Sequence, residues 1–166
     1  MTEKWSDAET IYREVLKREP RAAFARQGLE KASHRARLHQ QLDHYLQDPE
    51  RVYSSEPLAN AEKLLAAASE PPPGEPLLVE KIERLKALVT QARIPVAVTL
   101  ESDGQTRVSV YHVGNLGVFI DHQLELTPGT YTVVGSRAGY RDVRKTLTVR
   151  PGSSPLSLDI RCEEPI

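Results

Sequence analysis

Apolar positions recur with two different periods along this chain, and the period changes near Pro95. Before it, the spacing is that of helices. In "PLLVEKIERLKALVTQARIP", Leu78, Ile82, Leu85, Val89 and Ala92 recur at intervals of four and three, which places them on one helical face. Glu80, Lys81, Glu83, Arg84 and Lys86 fill the solvated remainder. Pro95 stops this helix, because proline disfavours helical geometry in the residue before it. Upstream, Ala25, Leu29, Ala32 and Ala36, then Leu38, Leu42, Tyr45 and Leu46, predict a long or bent helix whose apolar stripe drifts. "EPPPGEP" (70–76) predicts a stiff loop. Residues 1–94 therefore read as an all-α domain.

After Pro95 the period is two. Val96, Val98 and Leu100 alternate with Ala97, Thr99 and Glu101, and Asp103-Gly104 predicts a hairpin turn. Val108 and Val110 continue the alternation, "GNLGVF" (114–119) breaks it, and Leu124 and Leu126 resume it. Pro128-Gly129 predicts a type II turn, since proline presets the first turn dihedral and glycine takes the positive φ that follows. Tyr131 and Val133, then Val143, Lys145, Leu147 and Val149, then Leu156, Leu158 and Ile160 follow, with turns at Ala138-Gly139 and Pro151-Gly152. Short strands at this spacing predict an antiparallel β-sandwich of about six or seven strands over residues 95–166. The fold class is α+β in two segregated domains.

Two resemblances rest on these residues. Ala8, Tyr12, Val15 and Pro20 have the same intervals as Ala61, Leu65, Ala68 and Pro73. Small, large apolar, small or medium apolar, then proline resembles the second helix of a tetratricopeptide repeat. "ARQGLEKA" resembles the first helix of a following repeat, with Ala25, Gly28, Leu29 and Ala32 at packing positions. On that pattern Ala8–Pro20 is the second helix of a pair, so the chain is expected to begin inside its architecture. In the β half, "LELTPGTYTVVGSRAGYRDVRKTLTVRPG" resembles the PEGA-type domain, a small bacterial β-sandwich module. Leu126, Pro128, Gly129, Tyr131 and Val133, the Gly139-Tyr140 pair, and Leu147, Val149 and Gly152 carry the likeness. "GNLGVF" replaces the usual upstream stretch. The resemblance implies an envelope-associated setting, periplasmic or at a membrane through a segment outside this chain, with a cytoplasmic setting left open. It implies no catalytic residues.

Composition narrows the function. With 22 basic and 23 acidic residues, the net charge is −1 and aromatic residues make up 5%. A nucleic-acid binder is expected to carry a basic excess and stacking aromatics, so none is implied as partner. Cys162 is the single cysteine, which excludes an intramolecular disulfide. No apolar run approaches the roughly 20 residues of a membrane span. His34, His39 and His44 are spaced by five, about 140° apart per step on a helix, so they do not converge on a metal. His112 and His122 fall in the β half. "GNLG" reads as a β-turn, because it lacks the lysine and following helix of a phosphate loop. Ser109, Ser136, Ser153 and Ser154 lack a nucleophile-elbow context. No enzyme activity, cofactor or metal is implied.

One asymmetry remains. Arg137, Arg141, Arg144, Lys145 and Arg150 cluster around and after the Gly-Tyr turn, with Arg144, Thr146, Thr148 and Arg150 on one strand face. An outward polar face is the ordinary state of a sandwich strand. The candidate interaction surface is Arg137, Tyr140, Arg141, Arg144 and Arg150. Tyr140 has two readings: an exposed anchor for a partner, or an inward ring closing the end of the core. The expected function is a non-enzymatic interaction or scaffold module, contacting protein or an envelope polymer. The alternative is an accessory or regulatory domain of an enzyme or signalling protein, binding cell-wall glycan.

Overall fold

The computed structural model describes residues 4–68, 75–153 and 156–166. Contacts divide the chain into two compact units, Met1–Val89 and Thr90–Ile166. The predicted class holds: helices come first, followed by strands in two sheets.

The helical elements are α1 (Trp5–Arg18), α2 (Ala23–Gln47), a 3₁₀ turn (Pro49–Tyr53), α3 (Ser55–Ala67) and α4 (Pro76–Ala92). The predicted stripe of α4 is buried in full: Leu78, Ile82, Leu85, Val89 and Ala92. Pro20 follows the end of α1, as its helix-stopping role requires. The predicted loop at 70–76 and Pro73 of the second spacing match lie, up to Gly74, outside the described residues.

Helix α1 packs along the first half of α2. Ser33 Oγ donates to Glu9 Oε1 at 2.9 Å, and the Lys31 ammonium lies 5.8 Å from the Trp5 ring centroid. Gly28 sets the closest approach, because a Cβ there would meet the Tyr12 ring at 2.3–2.8 Å. Only a residue without a side chain lets that ring lie on the α2 backbone. Further along, Asp43 pairs with Lys81 at 2.7 Å and Arg35 with the buried Glu75 at 3.4 Å, tying α2 to α4.

The strands are β1 (Val96–Glu101), β2 (Arg107–Val110), β3 (Gly114–Val118), β4 (Asp121–Leu126), β5 (Gly129–Ser136), β6 (Val143–Val149) and β7 (Leu156–Asp159). They form a three-stranded sheet, β4-β1-β7, and a four-stranded sheet, β3-β2-β5-β6. The inward positions of both sheets meet in one apolar cluster: Val96, Val98, Leu100 and Leu126 from the first, Val108, Val110, Val133, Leu147 and Val149 from the second, with Ile160 after β7. Each fully buried Val or Leu here contributes about 1.5–3 kcal/mol. The alternation read from sequence identified nearly all of them.

The connections differ from the sequence reading in several places. Asp103-Gly104 is not a hairpin turn, since β1 and β2 belong to different sheets and the segment crosses between them. Pro128-Gly129 is likewise a crossing. Gly129 has φ +158°, far from the roughly +80° of a type II turn, and already pairs with Val149. "GNLGVF" does not break the sheet: Gly114–Val118 is β3, joined to β2 by the turn Tyr111–Val113. A bulge at Val108/Ser109 shifts the register there and hides the alternation. Finally, β7 runs parallel to β1, so the sandwich is antiparallel in its other pairings only.

Hydrogen bonds stitch the crossings. Ser102 Oγ donates to the Ile160 carbonyl at 2.8 Å, Ser102 N to Ile120 O at 2.7 Å, and Gly104 N to Phe119 O at 2.9 Å. Cys162 N donates to the hydroxyl of the fully buried Thr106 at 3.1 Å. At the other crossing, Tyr131 Oη reaches back to the Thr127 carbonyl at 2.8 Å, an arrangement similar to the tyrosine corner of Greek-key sandwiches.

Gly135 leaves the room that Thr106 occupies. A Cβ at this position would sit 2.8 Å from Thr106 Cγ2 and 3.2 Å from Ile160 Cγ1. Overpacking a rigid site of this kind costs about 1–3 kcal/mol. Gly135→Ala is therefore expected to lower the stability of the β-unit by that amount in urea unfolding followed by hydrogen exchange, leaving the protection of α1 and α2 unchanged.

Candidate interaction surface

The Gly139-Tyr140 turn joins β5 to β6 and is met by the C-terminal residues. Arg141 N donates to Glu164 O at 2.8 Å and Ile166 N to Gly139 O at 3.0 Å, framing an isolated bridge between Tyr140 and Pro165. The Arg137 guanidinium covers the Tyr140 ring at 4.1 Å from its centroid. Tyr140 is half-buried and stands outside the apolar cluster of the two sheets.

The other arginines divide into two groups. Arg137 is tethered to Asp103 Oδ2 at 3.5 Å and also bonds the Gln105 side chain. Arg141 pairs with Glu164 at 3.3 Å. Both charges are locally compensated. Arg144 points outward from β6, with its guanidinium 5.9 Å from the Tyr111 ring centroid. Arg150 stands at the opposite end of β6, about 20 Å away along the strand, beside a tight turn closed by Ser153 Oγ on Arg150 O at 2.5 Å. The five residues named from sequence thus do not form one patch.

What the fold does assemble is the outer face of the four-stranded sheet. Its ladder places Val118, Arg107 and Ser136 in one row, and Asn115, Ser109, Val134 and Arg144 in the next. Thr132 faces Thr146, and Thr130 faces Thr148. Tyr111, whose N–H donates to Thr132 O at 3.0 Å, adds a ring that is 53% exposed. No carboxylate belongs to these strand positions, and among the described residues none forms an ion pair with Arg107 or Arg144. Asp142 lies one residue before β6, outside the paired ladder. The sequence reading missed Arg107 and Tyr111, although their parity opposite Val108 and Val110 placed both outward.

The helical unit carries a polar cleft of about 760 Å³, lined by Ser6, Glu9, Ser33, Arg37, His39, Asp43 and His44 among others. Its carboxylates are engaged locally, Glu9 by Arg13 and Ser33 and Asp43 by Lys81, and the His44 ring lies 3.2 Å from the Arg51 guanidinium. His34 is exposed and His39 buried on the same helix. Among the described residues no three metal-ligating side chains converge, and no helix is long and apolar enough to cross a membrane.

The sequence matches no family model and no curated protein. The reading of the surface rests on its geometry.

Asp103 is the side chain whose ionisation is most clearly set by this geometry. Its carboxyl is held below the ordinary range chiefly by the Thr106 N–H at 2.7 Å, with further bonds from Gln105 N at 2.9 Å and the Thr106 hydroxyl at 3.1 Å. Burial opposes the shift. A carboxyl with a depressed folded pKa stabilises fully above its unfolded value of about 3.9, and that contribution is lost as pH falls through the folded value. The stability advantage of the wild type over Asp103→Asn is thus expected to be flat from pH 7 to about 5 and to shrink below pH 4. Denaturant titrations across this range check it. For Tyr140, replacement by alanine removes the Arg137 contact and is expected to cost about 0.5–2 kcal/mol, while Tyr140→Phe, which keeps the ring, leaves thermal stability nearly unchanged.

Proposed function

We propose that the chain is a non-enzymatic interaction and scaffold module of a bacterial envelope-associated protein. The observation that carries the reading is the outer face of β3-β2-β5-β6, where an exposed tyrosine stands with two arginines that form no ion pair among the described residues. Tyrosine and arginine are the residues that most often dominate binding energy at an interface. Asp103, Glu9 and Asp43, by contrast, are engaged in turns and ion pairs, which supports structural roles for them. The envelope setting rests on the PEGA resemblance of residues 124–152, and the scaffold role of the helices on the tetratricopeptide-like spacing of Ala8, Tyr12, Val15 and Pro20. Partners are protein or an envelope polymer, not nucleic acid, and no cofactor is involved. The hydroxyl-rich character of the same face favours a second reading, an accessory domain that holds an enzyme or signalling protein on cell-wall glycan.

Photo-crosslinkers at Ser109 and Thr146, on the face, and at Gln123, on β4 of the other sheet, test the module in cells that make the protein. Adducts from the first two positions and none from Gln123 are expected. Equal labelling from all three, or none from the face, would refute a dedicated surface.

A further inference from the structure

The chemistry of the outer face selects among partners. Four threonines stand on it as two facing pairs, Thr130 with Thr148 and Thr132 with Thr146, with Ser109 and Ser136 on the neighbouring rows. Hydroxyls both donate and accept, which matches groups that do the same. Arg107 and Arg144 sit two strands and one ladder row apart, about 12 Å between Cα atoms, and no carboxylate shares their strand positions. Both are exposed and form no ion pair among the described residues. Arginine is suited to planar, bidentate recognition of carboxylate. Tyr111 lies between these features, its ring more than half exposed and flanked by Arg144.

We propose that this face binds an acidic polysaccharide, a carboxylated glycan whose sugar hydroxyls meet the threonine pairs, whose carboxylates meet Arg107 and Arg144, and whose ring edge rests on Tyr111. The proposal rests on the interaction reading above and names its partner. A protein partner would call for a dry apolar centre, whereas the aliphatic residues in the ladder rows of the face, Val134 and the peripheral Val118, stand among hydroxyls and arginines. A single-stranded nucleic acid would call for several stacking aromatics, whereas the ladder positions of the face carry none and Tyr111, in the turn after β2, supplies one ring.

The test is affinity electrophoresis and calorimetry of the intact chain with polygalacturonate, beside neutral amylose and a thymidine oligonucleotide. Polygalacturonate is expected to bind, more weakly as salt is raised because exposed charges are screened, and amylose to bind less. The paired change Arg107→Gln with Arg144→Gln is expected to weaken binding about tenfold. Tyr111→Ala weakens it with the charge retained, and Arg141→Gln, whose partner is Glu164, leaves it unchanged. Thermal midpoints identify any variant that has lost its fold, and if the double change has, the single changes Arg107→Gln and Arg144→Gln, each expected to weaken binding, replace it. Absence of polygalacturonate binding, equal loss in Arg141→Gln, or tighter binding of the oligonucleotide overturns the proposal. If polygalacturonate fails while crosslinks from Ser109 and Thr146 persist, the glycan is wrong and the interaction module stands. If both fail, so does the module.

Discussion

The β-unit depends on one crossing, the segment Ser102–Thr106 that carries the chain from β1 in one sheet to β2 in the other. A crossing between stacked sheets buries backbone polar groups that no ladder can pair, and each unpaired group costs about 1–3 kcal/mol. Here the partners come from two other parts of the chain, residues 119–120 and 160–162. Ile120 and Phe119 carbonyls receive Ser102 N and Gly104 N, the Ile160 carbonyl receives the Ser102 hydroxyl, and the Thr106 hydroxyl receives Cys162 N. Asp103 closes the turn from within. Gly135 has to lack a side chain for Thr106 to reach that position. Two sheets become one sandwich because these four segments share a single node.

The same economy governs charge. Where arginines approach the crossing or the C-terminal residues they are compensated: Arg137 by Asp103, Arg141 by Glu164. Exposed pairs of this kind contribute little stability, roughly 0–1 kcal/mol, but they remove a charge from the surface available to a partner. Among the described residues Arg107 and Arg144 form no ion pair, and the ladder partners beside them, Val118 and Ser136 for Arg107 and Val134 for Arg144, carry no charge. A cluster of arginines in sequence and a cationic surface in space are different objects. Alternation along one strand brings residues to a common face, but only pairing across strands decides which charges meet.

Much of the architecture was legible from periodicity alone. The four-and-three spacing of Leu78 to Ala92 and the alternation of Val96, Val98 and Leu100 follow from the geometry of helix and strand, so burial could be read directly. Strand β3 was illegible because its bulge breaks the alternation and its glycines imitate a turn. Tyr140 was ambiguous because its half-burial depends on Arg137 and on Pro165, which are three and twenty-five positions away.

The sequence by itself determined the succession of helices then strands, the residues of the two-sheet core and the outward parity of the polar strand positions, since all three are local consequences of backbone repeat. The tertiary structure decided that Asp103-Gly104 and Pro128-Gly129 cross between sheets rather than fold hairpins, that β7 lies parallel to β1, and that Arg107, Tyr111 and Arg144 share a face while Arg150 stands apart. These depend on strand partners chosen between residues distant in sequence, and a turn signal fixes where the chain bends without fixing which sheet it enters next.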